Sequence, residues 1–149
     1  MKNPAVTIAI VEDHLVMRQL TNYRLSKLGY KVVLEAENGQ ILLDQLDNLQ
    51  APDICILDIN MPIMNGFETI IHLKKGWPDM KVVFLSMHEE DSYMKKSMEL
   101  GADGFIRKDA PFEELKKTLQ QFTLGKLPMH LENIGNNAAS GGGFKTIID

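Results

Sequence analysis

The sequence predicts an α/β fold of five strand-helix units, building a parallel sheet covered by helices on both faces. Three observations carry that prediction. Short β-rich runs alternate with helical patterns of roughly a dozen residues. Those runs are almost continuously apolar rather than alternating, the mark of strands buried on both faces. The 149 residues, 44% of them hydrophobic, suffice for one sizeable core, and a second full domain is not expected.

The strand-like runs are Thr7 to Val11, Lys31 to Ala36, Ile54 to Leu57, Val82 to Leu85 and Gly104 to Ile106. Between the second and third, Leu42, Leu46 and Leu49 recur at i, i+4, i+7 and predict a helix with these residues inward. In the next interval Phe67, Ile70 and Ile71 recur at i, i+3, i+4. Met94 and Met98, a pair at helical spacing in the fourth interval, are expected in the core, with the segment from Ser86 through this helix as the surface that changes. The last helix has the clearest stripe, Phe112, Leu115, Leu119 and Phe122. Asp109 is its candidate cap, Pro111 is tolerated in the first turn, and Glu113 and Glu114 suit the positive end of the dipole. Gly125 and then Pro128 supply a stop. These units fill residues 5–124. Residues 125–149 change character, with Asn133 to Gly143 rich in Asn, Gly, Ala and Ser, and are expected to be a flexible linker or tail. Gly143-Phe144-Lys145-Thr146 lacks the glycine spacing and Gly-Lys pair of a phosphate-binding loop.

Composition excludes several classes. No apolar run approaches the roughly 20 residues of a membrane span, and Val6 to Val11 is too short for a signal peptide, so a cytoplasmic protein without a membrane partner is expected. Cys55, alone in an apolar run, predicts a buried thiol and argues against a disulfide scaffold. A net charge of −4 offers no basic footprint for direct binding of nucleic acid. His14, His72, His88 and His130 lack paired metal-ligand spacing, which argues against zinc.

In an open parallel sheet the functional crevice lies beyond the carboxyl ends of the strands. There the sequence places Glu12 and Asp13 after the first run, Asp58 after the third, Ser86 after the fourth and Lys108 just past the fifth. Three gathered carboxylates repel one another, and a hard cation with oxygen ligands relieves that repulsion. Mg²⁺ suits such a site because it takes one or two carboxylates, keeps several waters and leaves room for a phosphate. Asp13 and Asp58 are the candidate direct ligands, with Glu12 holding a metal-bound water. Lys108 can pair with Asp58 and then with a phosphate oxygen, and Ser86 can hydrogen-bond another. Asp58 is the candidate nucleophile, since a carboxylate can attack phosphorus to form an acyl phosphate. Each residue also has a plain explanation: Glu12 and Asp13 as helix-starting acids, Asp58 opening a turn, Ser86 as a helix cap, Lys108 as a solvated charge. Their joint placement at four strand ends favours the functional reading.

These residues carry a resemblance. Ile10-Val11-Glu12-Asp13-His14, Leu57-Asp58-Ile59-Asn60-Met61-Pro62 followed by Asn65-Gly66, Leu85-Ser86-Met87-His88, and Gly101 through Ala110 match in order, spacing and type. Residues 5–124 thus resemble the receiver (phosphoacceptor) domain of two-component response regulators, in particular those preceding a helix-turn-helix DNA-binding output domain. The resemblance implies a flavodoxin-like doubly wound sheet in the order 2-1-3-4-5 with five helices. It implies Mg²⁺ on Asp13, Asp58 and the backbone carbonyl of Asn60, and phosphorylation of Asp58 by a sensor histidine kinase. It also implies a switch in which Ser86 moves toward the phosphoryl group and Phe105, where tyrosine is common, turns inward, although Phe105 by itself also reads as a plain core residue. Asn60 and His88 stand where the phosphoryl lifetime would be tuned, although His88 reads equally well as a solvated loop residue. Exposed residues of the first helix, Val16 to Arg24, are expected to select the kinase, and a phosphorylation-dependent homodimer is a further expectation. DNA would be reached only through an output domain that this sequence does not contain. A receiver taken from a longer transcriptional regulator is the expected context, a stand-alone receiver the alternative.

Two rivals share some of these residues. A phosphatase of the haloacid dehalogenase type also uses an aspartate nucleophile and Mg²⁺, but needs a second aspartate two positions on. Asn60 stands there and cannot relay a proton, so a turnover enzyme is not expected. An unphosphorylated scaffold would lack ligands, and all are present.

Overall fold

The computed structural model describes residues 5–87 and 91–123. Its elements alternate from β1 (Thr7–Val11), α1 (Leu15–Lys27), β2 (Lys31–Ala36) and α2 (Gly39–Leu46) through β3 (Ile54–Leu57), α3 (Gly66–Gly76) and β4 (Lys81–Ser86) to α4 (Asp91–Glu99), β5 (Gly104–Arg107) and α5 (Phe112–Thr123). The five strands form one sheet in the order β2-β1-β3-β4-β5, every neighbouring pair parallel. The strand spans match the sequence reading closely, with β4 extended by one residue at each end and β5 by Arg107.

Alternation along each strand divides the interior into two cores. Ala9, Val11, Cys55, Leu57, Val82 and Phe84 face Leu42, Leu46, Ile70 and Leu73 on one side. Ile8, Ile10, Ile54, Ile56, Val83 and Ile106 face Leu25, Leu115 and Leu119 on the other. Both faces of the central strands are therefore covered, which is why they read as unbroken apolar runs. Each fully buried Ile or Leu contributes about 1.5–3 kcal/mol. At the β2 edge the register slips so that Val33 has no partner between Val32 and Leu34. Such a bulge twists an open edge away from further strand pairing.

Several sequence expectations need correction. α2 ends at Leu46, and Leu49, beyond it, is 52% exposed. The buried stripe of α3 is Gly66, Thr69, Ile70 and Leu73, which turns Ile71 to solvent one helical step away. In α4, Tyr93 and Ser97 take the inward positions, with Leu100 just past its end packed against the same core, so Met94 and Met98 lie outside at 46% and 47% exposure rather than in the core. Phe112, at the first residue of α5, is also exposed. Asp109 does not cap α5, which starts three residues later; its carboxylate is held by the Arg107 guanidinium at 3.0 and 2.9 Å. The same guanidinium lowers the Asp109 pKa. The stop at Gly125 and Pro128, the linker and His88 lie outside the described residues.

α3 is the helix that frames the site. Asn65 and Glu68 make a reciprocal capping box, and Thr69 Oγ1 donates to the Asn65 carbonyl at 2.7 Å. Gly66 allows the first turn to lie on the strand end: a Cβ there would sit 2.2 Å from the Asp58 carbonyl oxygen and 2.9 Å from the Phe84 ring. The intervening loop carries one strained residue, Ile63, at φ 69°.

Candidate functional site

The parallel strands all end on one side of the sheet, and the residues following β1, β3, β4 and β5 meet there. Neighbouring backbone is stitched by Asp58 N–H to the Val11 carbonyl at 3.0 Å and Lys108 N–H to the Ser86 carbonyl at 2.8 Å. The Lys108 ammonium lies between two acids, paired with Glu12 and 3.2 Å from Asp58 Oδ2. These three side chains are only 5%, 5% and 9% exposed, so this is a buried network rather than a surface ion pair. Burial favours loss of the lysine proton, but the hydrogen bond to Glu12 and the charges of Asp58 and Glu12 outweigh it and raise the Lys108 pKa.

The geometry removes the plain explanations of Glu12, Asp13, Ser86 and Lys108 and keeps that of Asp58 only in part. α1 has no acid in its first turn and is capped by His14 without a side-chain bond, so Glu12 and Asp13 are not helix-starting acids. Ser86 is fully buried as the last residue of β4, and the Met87 that follows it is not helical, so Ser86 caps no helix. Lys108 is not solvated. Asp58 does take part in the turn, its Oδ1 accepting from Ile59 N–H at 2.8 Å, while Oδ2 faces Lys108.

Carboxylate oxygens of Glu12, Asp13 and Asp58 lie within 4.8 Å of one another. Asp13 Oδ1 is buried and has no hydrogen-bond partner. An unsatisfied buried carboxylate oxygen in such a cluster is costly unless a cation takes it up. The donor set, oxygen throughout, fits a hard divalent cation. A cleft of about 450 Å³ opens over Asp58, lined by His14, Val16, Met17, Asn60, Met87 and Lys108. It gives access to Asp58 and to the Lys108 side chain beside it, while Glu12 lies behind them, outside the lining.

The structure thus brings together Glu12, Asp13, Asp58, Ser86 and Lys108, and Asn60 lines the same cleft. Phe105 lies beside Phe84 in the β4–β5 register and packs half-buried against the core that includes Phe84. His88 is outside the described residues. Sequence reasoning missed the walls of the cleft, Val16 and Met17 in the first turn of α1 and Met87 just past β4, because an apolar side chain at such a position carries no signal of what it borders. It also placed Arg18 within an exposed partner-selecting stretch. Val16 and Tyr23 are indeed exposed, at 74% and 60%, but the Arg18 side chain is only 12% exposed.

Among the described residues no helix is long and apolar enough to cross a membrane. The family model of the response regulator receiver domain matches residues 8–120. The chain is similar to the transcriptional regulatory protein YdfI of Bacillus subtilis, 35% identical over 121 residues, covering 80% of this chain and 56% of that protein. It is also similar to the nitrate/nitrite response regulator protein NarL of Escherichia coli, 36% identical over 124 residues, covering 81% and 56% respectively. The chain spans about half the length of these curated relatives. Among solved structures it resembles the signal receiver domain of the putative response regulator NarL from Mycobacterium tuberculosis. There the TM-score is 0.71 at 28% identity, covering 77% of this chain and 93% of that one. The chemotaxis protein CheY4 of Vibrio cholerae matches with TM-score 0.72 at 26% identity, covering 80% and 99%.

Proposed function

The chain belongs to the response regulator receiver domain family, and on that premise we propose that it is a phosphorylation switch with Asp58 as phosphoacceptor. The observation that carries this reading is Lys108 shared between Glu12 and Asp58, beside a buried Asp13 oxygen without a partner, under an open cleft. Asp13, Asp58 and the Asn60 backbone carbonyl would hold Mg²⁺, with Glu12 supporting a bound water. Bound there, Mg²⁺ would neutralise charge on the transferring phosphoryl group.

The chain's own groups account for the rest. An Asp58 carboxylate oxygen attacks phosphorus, the O–P bond forms as the N–P bond of a kinase phosphohistidine breaks, and that bond's electron pair leaves with the donor nitrogen. Lys108 gives up part of its contact with Asp58 for a phosphoryl oxygen, and the Ser86 hydroxyl donates to another. Because Ser86 is fully buried, moving it toward the cleft opens space beside β5 that the Phe105 ring can enter. The surface around Met87 and α4 then changes. Asn60 cannot deliver a base to an attacking water, which supports a persistent acyl phosphate rather than turnover. His88, two residues past Ser86, would influence water access.

The donor would be a sensor histidine kinase contacting the exposed part of α1, and the output transcriptional, through a DNA-binding domain in a longer protein. Support for the output is that YdfI and NarL carry regulator names and are nearly twice as long as the matched region. A weak phosphorylation-dependent dimer belongs to the same reading, and sedimentation that does not change with a phosphoryl mimic would oppose it.

The test is Asp58→Asn with a small acyl phosphate donor and Mg²⁺, read by intact mass. The wild type should gain one phosphoryl group and the variant none. Equal labelling refutes the assignment, and continuous phosphate release from the wild type would instead indicate a phosphatase.

A further inference from the structure

Arg18 lies outside the acidic cluster, yet its guanidinium is fixed onto the main chain that presents it. Nη1 donates to the Glu12 backbone carbonyl at 2.8 Å. Nε donates to Glu35 Oε1 on β2 at 3.2 Å. The second oxygen of Glu35 accepts from Asn22 Nδ2 at 2.9 Å, and Ser26 Oγ donates to Asn22 Oδ1 at 3.1 Å. A relay along one side of α1 therefore aims Arg18, by way of β2, at the peptide joining Glu12 to Asp13. On the other side of that residue Glu12 N–H donates to the Ala36 carbonyl at 3.0 Å. With both its amide and its carbonyl bonded, Glu12 has little freedom, and the Asp13 that follows inherits that order.

We propose that Arg18, aligned by Glu35 and Asn22, is a positioning residue for the divalent-cation site, holding the Glu12-Asp13 peptide so that both carboxylates converge with Asp58. This rests on the cation-binding part of the proposed function. It also makes a prediction whose sign separates geometry from charge. A cation near a metal site opposes metal binding by repulsion, so a purely electrostatic Arg18 would weaken binding, and its removal would tighten it. A positioning Arg18 has the opposite effect. Partners that orient metal ligands commonly contribute roughly tenfold or more to affinity, and part of that is offset by the charge.

The experiment is calorimetric titration of the full chain with Mg²⁺ alone, without phosphodonor, for wild type, Arg18→Met and Arg18→Lys, with circular dichroism melts to establish folding. Arg18→Met should bind Mg²⁺ about five- to tenfold more weakly. Arg18→Lys, which keeps the charge and one donor, should fall between it and the wild type. Under a charge-only role Arg18→Met binds more tightly and Arg18→Lys is unchanged, and either result overturns the proposal. Should Arg18→Met fail to fold, Arg18→Lys decides, since wild-type affinity in that variant also overturns it. A wild type that binds no Mg²⁺ would instead refute the cation site itself, and this inference with it.

Discussion

The two glycines that bound α3 should respond to alanine in opposite directions. At Gly66 an added Cβ would stand 2.2 Å from the Asp58 carbonyl oxygen, 2.8 Å from Ile59 Cα and 2.9 Å from a Phe84 ring carbon. Ordinary carbon-oxygen contact begins near 3.3 Å, so the helix start must retreat by roughly 1 Å. Two of these neighbours are backbone, and Phe84 is fully buried, so none can swing aside. The retreat would also stretch the 2.7 Å bond from Gly66 N–H to the Ile59 carbonyl. Overpacking of this kind costs about 1–3 kcal/mol, and the rigid surroundings place Gly66→Ala near the upper end. At Gly76 nothing lies within 4 Å of the added methyl, and its φ is not positive. Gly76→Ala should therefore stabilise by about 0.5–1 kcal/mol through helix propensity and reduced freedom of the unfolded chain. Equilibrium urea unfolding followed by far-ultraviolet circular dichroism measures both, and avoids the fluorescence of Trp77, which adjoins Gly76. A Gly66→Ala stability within about 0.5 kcal/mol of wild type would refute the idea that α3 is seated on the phosphoacceptor strand.

Three further outcomes follow from single sites. Lys108→Met should destabilise by about 3 kcal/mol at neutral pH, because Glu12 and Asp58 lose their buried cation. The Lys108 pKa is raised in the fold above its usual 10.5, so its stabilisation is complete below that value and lost as pH climbs through the raised one. The gap between wild type and variant in urea unfolding should accordingly narrow on the alkaline side as Lys108 loses its proton; a gap that stays constant through that titration would contradict this. Ile63→Gly should stabilise by about 0.5–1 kcal/mol, since Ile63 has φ 69° and is 81% exposed, so strain is relieved and little packing lost. A destabilised variant in a thermal melt would show that the side chain has a packing role. The Cys55 thiol, fully buried and pushed up to about 12, should resist a thiol reagent at pH 8 until the chain is unfolded. Rapid labelling of native protein would mean that β3 opens locally.

Strand positions and the gathering of Glu12, Asp13, Asp58, Ser86 and Lys108 were legible in the sequence for one reason. Burial on both faces writes each central strand as a continuous apolar run, and a parallel sheet then brings all carboxyl ends to one edge. Given the strands, residues almost a hundred positions apart could be assigned to one crevice without any knowledge of side-chain packing. Helical periodicity was less informative. It identified the helices, but where apolar residues fall on adjacent positions, as at Ile70 and Ile71, it did not say which faced the core.

Only the tertiary structure decided those orientations, because a helix's rotation is set by what it packs against. Phe67 meets Phe84 and Tyr93 at centroid distances of 5.7 and 5.8 Å, and that contact turns Met94 and Met98 outward. The role of Arg18 was hidden for the same reason: its partners, the Glu12 carbonyl and Glu35, belong to a neighbouring backbone and a different strand. Local sequence therefore determined which chemical groups reach the sheet edge. Contacts between elements distant in the chain determined how closely those groups are held.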